Sequence, residues 1–207
     1  YQGWGACFYP QNYIDKLYEI SKQNNILFCF DEVQSGFYRM GTLYGYQTYG
    51  DYEPDLITLG KGLTSSLPLS AVLGRKEIID CDSSANLSST HAGNTLCCAA
   101  GLANLEFLTE DSFQKDLKEK CEYFTQKCKS LLKYNIIKKV NVRGLVAGII
   151  LDDVDITSNI VENCIKDGVL VMSTKRESIK LGPPLTITIE ALEEVFEVLE
   201  SHIKSND

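Results

Sequence analysis

No stretch of the sequence approaches the roughly 20 apolar residues that a membrane helix needs; Ile26 to Phe30 makes only a short strand. Basic residues are in deficit, 20 Lys and Arg against 28 Asp and Glu. The net charge of −8 therefore leaves no cationic face for a nucleic-acid backbone. Histidine is scarce, at two residues, and the cysteines form no C-x-x-C pair, so no metal site is expected. No G-x-G-x-x-G follows a strand pattern, which argues against a plain nucleotide-binding domain. Tyr1-Gln2-Gly3-Trp4-Gly5 has neither the basic start nor the apolar core of a signal peptide. An initiator methionine is missing too, so the chain reads as processed or as a piece of something longer. Repeats and low-complexity tracts are absent. A hydrophobic share of 44% and a charged share of 23% sit near globular averages, which excludes disorder.

Cysteine, by contrast, is plentiful. Eight cysteines in 207 residues do not have the spacing of a small disulfide-stapled scaffold. Cys97-Cys98 lie in an Ala-rich helical run, and Cys121 and Cys128 fall on one helix face. They read as buried, reduced and structural, which points to the cytoplasm.

Along the chain, Ile14, Leu17, Tyr18 and Ile20 have helical spacing, and Asn24-Asn25 stops that helix. A buried strand is expected over Ile26–Phe30, ending at Asp31. A Gly- and Tyr-rich loop leads to a second strand, Asp55–Leu59, ending at Gly60-Lys61-Gly62, and Leu69–Leu73 is a third. This rhythm predicts an α/β sheet with covered faces, and functional side chains gather at the carboxyl ends of such strands. Gly93–Leu108 reads as a small-residue helix suited to close packing. From Asp111 the composition turns to Lys and Glu, and a long amphipathic helix runs to about Tyr134. Strands near Lys139–Val142 and Leu145–Leu151, a helix near Ser158–Lys166, strands at Val169–Met172 and Ile179–Leu181, and a helix over Ile189–Ile203 complete the pattern. A smaller α/β domain from about residue 109 is the natural division.

Chemistry concentrates in two segments, Phe30-Asp31-Glu32-Val33-Gln34-Ser35-Gly36-Phe37 and Glu53-Pro54-Asp55-Leu56-Ile57-Thr58-Leu59-Gly60-Lys61-Gly62. Taken singly, each candidate has an ordinary structural reading: Asp31 as a cap or ion pair, Lys61 as a loop lysine, Gln34 as a turn amide. Together, at two strand ends of one sheet, they suit pyridoxal 5'-phosphate. Its ring is the better electron sink with the ring nitrogen protonated, which a neighbouring carboxylate favours, and Asp31 supplies one. Its aldehyde needs a nucleophilic amine, which Lys61 supplies. Gly60 and Gly62 are expected to let the backbone approach the ring closely, and Gln34 to reach its phenolic oxygen.

These segments resemble the class III aminotransferases, the family of ornithine, acetylornithine and 4-aminobutyrate aminotransferases. Leu67-Pro68-Leu69-Ser70-Ala71-Val72, Ser89-Thr90-His91-Ala92-Gly93-Asn94 and Leu181-Gly182-Pro183-Pro184-Leu185-Thr186-Ile187-Thr188 agree with the family in the same order. The resemblance implies an aspartate-aminotransferase-like fold of type I. Residues 1–108 would be the second half of the cofactor-binding large domain, and 109–207 the small C-terminal domain. It implies a ping-pong transfer of an amino group from an amine or amino acid to an oxo acid. Lys61 would hold the cofactor as a Schiff base, Asp31 would partner the ring nitrogen and Gln34 would contact the ring oxygen. Thr90 would bind the cofactor phosphate of the neighbouring subunit, in a homodimer with shared sites.

Three departures bear on the substrate. Lys180 stands where the family usually has an arginine that docks a substrate carboxylate, and a lysine cannot form that bidentate clamp. Thr95 replaces a proline, and Thr64-Ser65-Ser66 replaces a glycine-rich run. Family members are also about twice as long, so the chain reads as their C-terminal half. Two rival readings remain beside the transaminase: an aminomutase or decarboxylating transaminase on the same fold, and a truncated, non-catalytic chain.

Overall fold

A computed structural model describes residues 1–82, 84 and 89–207. The chain forms two compact units, Pro10–Gln114 and a second made of Tyr1–Tyr9 with Lys115–Asp207.

The first unit opens with helix α1 (Gln11–Gln23), whose Ile14 and Ser21 are buried. It ends where Asn25 turns left-handed, with φ +54°, and the Ile26 amide reaches back to the Ser21 carbonyl at 2.8 Å. Asparagine tolerates that conformation better than most residues. Strand β1 (Cys29–Asp31) pairs in parallel with β2 (Leu56–Leu59), with Asp31 opposite Thr58. Strand β3 (Ala71–Gly74) runs antiparallel to β2. The expected strand over Ile26–Phe30 is thus shorter: Ile26 and Leu27 precede β1 and are exposed. Nor is the sheet covered on both faces within this unit. The register puts Cys29, Asp31, Thr58 and Val72 on one face, where Cys29, Asp31 and Val72 are exposed. Phe30, on the other face, stacks on Tyr46 with ring centroids 4.7 Å apart. Asp55 ties the two parallel strands together at their start. Its carboxylate accepts from the Phe28 amide and from Arg75, both at 2.8 Å. A short helix α2 (Lys76–Ile79) follows β3, and α3 (Thr95–Leu108) is N-capped by Asn94, which accepts from Leu96 and Cys97 amides.

Helix α4 (Asp111–Ser130) carries the chain into the second unit. There β4 (Lys139–Arg143), β5 (Val146–Ile150), β6 (Met172–Ser173) and β7 (Ser178–Leu181) make an antiparallel sheet in the order β4-β5-β7-β6. Helices α5 (Val154–Lys166) and α6 (Ile189–Ser205) start at the side-chain caps Asp153 and Thr188. The unit's core is built from strand residues Ala147, Ile149 and Ile179, from Ile160 of α5 and from Leu192, Phe196, Leu199 and Ile203 of α6, all essentially inaccessible. Each of the Ile, Leu and Phe side chains among them contributes about 1.5–3 kcal/mol of burial. Tyr1–Tyr9 crosses the opposite sheet face. Gly5 presses so closely on Gly148 that a Cβ there would overlap the Gly5 backbone, and Asn141 Nδ2 donates to the Gly5 carbonyl at 2.8 Å. A domain beginning at residue 109 would leave these nine residues with the first part of the chain. They pack instead with the second unit, where Gly148 of β5 leaves room for the Gly5 backbone.

None of the eight cysteines forms a disulfide. Cys97, Cys128 and Cys164 are buried as expected of structural cysteines, whereas Cys29, Cys81 and Cys98 are exposed. Among the described residues no helix is long and apolar enough to cross a membrane. No cluster of three or more His, Cys, Asp or Glu able to hold a metal occurs among them either.

Candidate active site

Asp31 and Lys61 follow the carboxyl ends of two hydrogen-bonded parallel strands. Asp31 ends β1 and faces Thr58 of β2; Lys61 comes three residues after Thr58. One carboxylate oxygen of Asp31, Oδ1, accepts from the Val33 amide at 3.0 Å and from the Thr58 hydroxyl at 3.2 Å. Its Oδ2 accepts no hydrogen bond among the described residues. The side chain is exposed on the open face of the sheet, not buried as a strand-end aspartate would be in a covered sheet.

Lys61 opens a 3-10 turn, Lys61–Leu63, and has φ +40°, in the left-handed region that bulky L residues seldom occupy. Its side chain is exposed and makes no ion pair among the described residues. Strain of this kind clusters at functional positions. Phe37 and Tyr38, with φ +54° and +64°, and Ser65, with φ +63°, add to it in the same two strand-end segments.

Gly60 and Gly62 permit close approach within the protein itself. A Cβ on Gly60 would stand 3.3 Å from Val33 Cγ1, and one on Gly62 would stand 3.1 Å from Phe37 Cβ. The glycines let the lysine turn seat itself against the segment that follows Asp31. Here close approach joins two parts of the protein.

Gln34 is exposed in the turn after β1, and its amide makes no hydrogen bond among the described residues. That turn is fastened by the neighbouring Glu32, which is 2% exposed. Its carboxylate accepts from the Ser35 hydroxyl at 2.7 Å and from the Gly45 and Tyr46 amides at 2.8 and 2.7 Å. Glu32 is therefore the structural half of the Asp31-Glu32 pair. Backbone donors separated by a dozen residues could not be paired with it from sequence.

Thr90 is exposed in the turn before α3, a turn closed by the Ala92 amide and the Ser89 carbonyl at 3.0 Å. Asn104, within α3, was not singled out from sequence. Its side-chain amide bonds to Gly62, Leu63 and Ser65, immediately after Lys61. A lone amide in a helix of Ala, Leu, Cys and Gly is the one signal that marked it.

Lys180 lies in the second unit, in the middle of that unit's sheet and opposite Gly148 and Met172. It is buried, at 9% exposure, and its Nζ stands 5.4 Å above the centre of the Tyr1 ring, a cation–π distance.

Residues 2–203 match the aminotransferase class-III family. An acetylornithine aminotransferase of Caldanaerobacter subterraneus subsp. tengcongensis is 35% identical over 189 residues, covering 91% of this chain and 47% of that protein. An isoleucine 2-epimerase of Lentilactobacillus buchneri is 32% identical over 201 residues, covering 92% and 44%. The crystal structure of an S-selective transaminase from Arthrobacter sp. with alanine bound superposes with a TM-score of 0.89 at 28% identity, covering 99% of this chain and 49% of that one. The chain thus spans about half the length of the relatives it matches.

Proposed function

The chain belongs to the class-III aminotransferase family, and on that premise we propose that it carries the amine and the ring-nitrogen carboxylate of a pyridoxal-phosphate-dependent transaminase. The observation that carries this reading is the placement of Asp31 and Lys61 at the carboxyl ends of adjacent parallel strands, with Asp31 held, among the described residues, through Oδ1 alone. Such a carboxylate keeps a lone pair ready for a protonated ring nitrogen, and Lys61 is an exposed amine with no ion pair among the described residues. The residues present therefore fit the cofactor. When bound, pyridoxal phosphate supplies an electron sink for the bond to be broken at the donor's amino carbon.

The chain's residues divide the remaining work. Asp31 keeps the ring nitrogen protonated by opposite charge. Gln34 offers amide hydrogens to the ring oxygen. Lys61 Nζ would hold the cofactor covalently and, once the donor's amine has displaced it, would be free to take the proton from the carbon bearing the donor's amino group and, as the acid, to give one back. Thr90 offers a hydroxyl to a phosphate, in our reading that of a second subunit, which makes the enzyme a homodimer with shared sites. Substrates are an amine or amino acid and an oxo acid. Lys180 is proposed as a monodentate partner for a substrate anion, in place of a guanidinium fork. Exposed unpaired cysteines suit a reducing compartment, so we assign the protein to the cytoplasm. Large- and small-domain roles for residues 1–108 and 109–207 belong to the same proposal, as does a need for the half of the family's length that this chain does not span.

The epimerase relative supports a second reading, in which Lys61 returns the proton to the carbon it came from. Incubation with pyridoxal phosphate, borohydride reduction and peptide mapping test both readings at once, and the pyridoxyl group is expected on Lys61. Label on another lysine, or none, refutes them. Product analysis then separates amino transfer from inversion.

A further inference from the structure

The turn that carries Lys61 is gripped by one side chain from α3. Asn104 Nδ2 donates to the carbonyl oxygens of Gly62 at 2.8 Å and Leu63 at 3.2 Å. Its Oδ1 accepts from the Ser65 hydroxyl at 3.0 Å. Both ends of the amide are thus spent on the segment directly after Lys61.

The turn needs outside support. Lys61 and Ser65 both have positive φ, +40° and +63°, which disfavours the conformation for L residues. Its internal backbone bonds are few: the Leu63 amide to the Gly60 carbonyl at 3.0 Å, and the Thr64 and Ser65 amides to the Lys61 carbonyl, that of Ser65 at 3.2 Å. A single 3-10 turn has poor hydrogen-bond geometry and seldom persists alone. Helix α3 comes close enough to help because Gly101 has no side chain. A Cβ there would stand 3.3 Å from Leu69 Cδ2 and 3.6 Å from the Leu63 carbonyl oxygen. Asparagine is a poor helix-interior residue, and here its amide is turned to a neighbouring segment.

We propose that Asn104 is a positioning residue for Lys61, holding the lysine turn in its left-handed form so that the amine is presented from a fixed backbone. The proposal rests on Lys61 being the reacting amine, and it adds a residue on a different element that sets how that amine is offered. Asparagine is suited to the task because one amide meets two acceptors and a donor. Aspartate would face two carbonyl oxygens with negative charge.

The test compares wild type with Asn104→Ala, Asn104→Asp and Ser65→Ala in the protein as its gene encodes it. Two readouts are taken: amide hydrogen exchange, and pyridoxal phosphate followed by borohydride and peptide mapping. In Asn104→Ala, exchange at Leu63 and Ser65 should rise about tenfold, as expected for one or two lost hydrogen bonds. Exchange in β2 and β3 should not change, and the rate of pyridoxyl attachment at Lys61 should fall by a similar factor. Asn104→Asp should lose more, and Ser65→Ala less. Unchanged exchange in Asn104→Ala overturns the proposal. So does faster exchange spread through the whole unit, which marks a general packing residue, or faster exchange with undiminished labelling of Lys61. If wild type takes no label on Lys61, the transaminase reading falls, and the exchange pattern alone decides whether Asn104 sets the turn.

Discussion

Thr58 of β2 donates its hydroxyl hydrogen to Oδ1 of Asp31 in β1, 3.2 Å away, across a register in which the two residues stand opposite each other. The Val33 amide meets the same oxygen at 3.0 Å. Asp31 is oriented by neutral donors on one oxygen, and its charge is left for something else.

Asp31→Asn should therefore keep cofactor affinity largely intact while lowering turnover by about three decades. Absorbance titration with pyridoxal phosphate and steady-state kinetics measure the two. A near-wild-type rate would reduce Asp31 to a structural role.

Glu32 presents a different dependence. Its buried carboxylate satisfies a hydroxyl and two backbone amides, so Glu32→Ala strands three donors and should cost about 3 kcal/mol or more. Denaturant unfolding gives the loss, and faster exchange at the Gly45 and Tyr46 amides locates it. Glu32→Gln keeps acceptor oxygen and should lose less than half as much.

Gly148→Ala asks for space that the Gly5 backbone occupies. The Tyr1–Tyr9 segment should lift from the sheet, at a cost of about 1–3 kcal/mol. Trp4 is the only tryptophan, so its emission reports the change directly. Faster proteolysis before Pro10 should accompany it, and unaltered emission would show that β5 tolerates the methyl group.

In the second unit, Lys133 and Tyr134 hold the Glu200 carboxyl below its ordinary value of 4.5, Tyr134 from 2.8 Å. An acid whose pKa is lowered by folding stabilises the folded state above its unfolded value and loses that contribution as pH falls through the folded one. Stability should decline from about pH 5 downward, and Glu200→Gln should flatten that slope. The site is partly exposed, so the difference should stay below about 1 kcal/mol. Thermal melts of both proteins across pH 3–6 give the comparison; parallel slopes would exclude Glu200.

Shared sites predict rescue on mixing. Lys61→Ala and Thr90→Val subunits should each be weak alone, yet each hybrid dimer carries one site with both lesions and one with neither. Activity should approach half of wild type per hybrid, because assembly and site completion are linked. Hybrids that form without regaining activity would show that Thr90 serves its own chain.

Much of this was legible from local pattern. The helices that end at Leu108, Lys166 and Ser205 were anticipated within a few residues of those ends from apolar spacing, although α5 starts at its Asp153 cap, ahead of the expected Ser158. The strand-end positions of Asp31 and Lys61 were legible because strand ends in an α/β pattern are marked by where the apolar run stops. Residues 2–203 could be matched to a family for the same reason: the motifs are contiguous. Tertiary structure alone decided what these residues touch. It gave Gly60 and Gly62 to Val33 and Phe37, set Glu32 under amides a dozen residues away, and brought Asn104 forty residues back to the lysine turn. It also carried Tyr1–Tyr9 to β5 and left Ile26 and Leu27 outside the strand. The division has one physical cause. Caps and periodicity depend on atoms within a turn of each other, whereas a clasp or close approach depends on how separate elements pack, which no short window of sequence records.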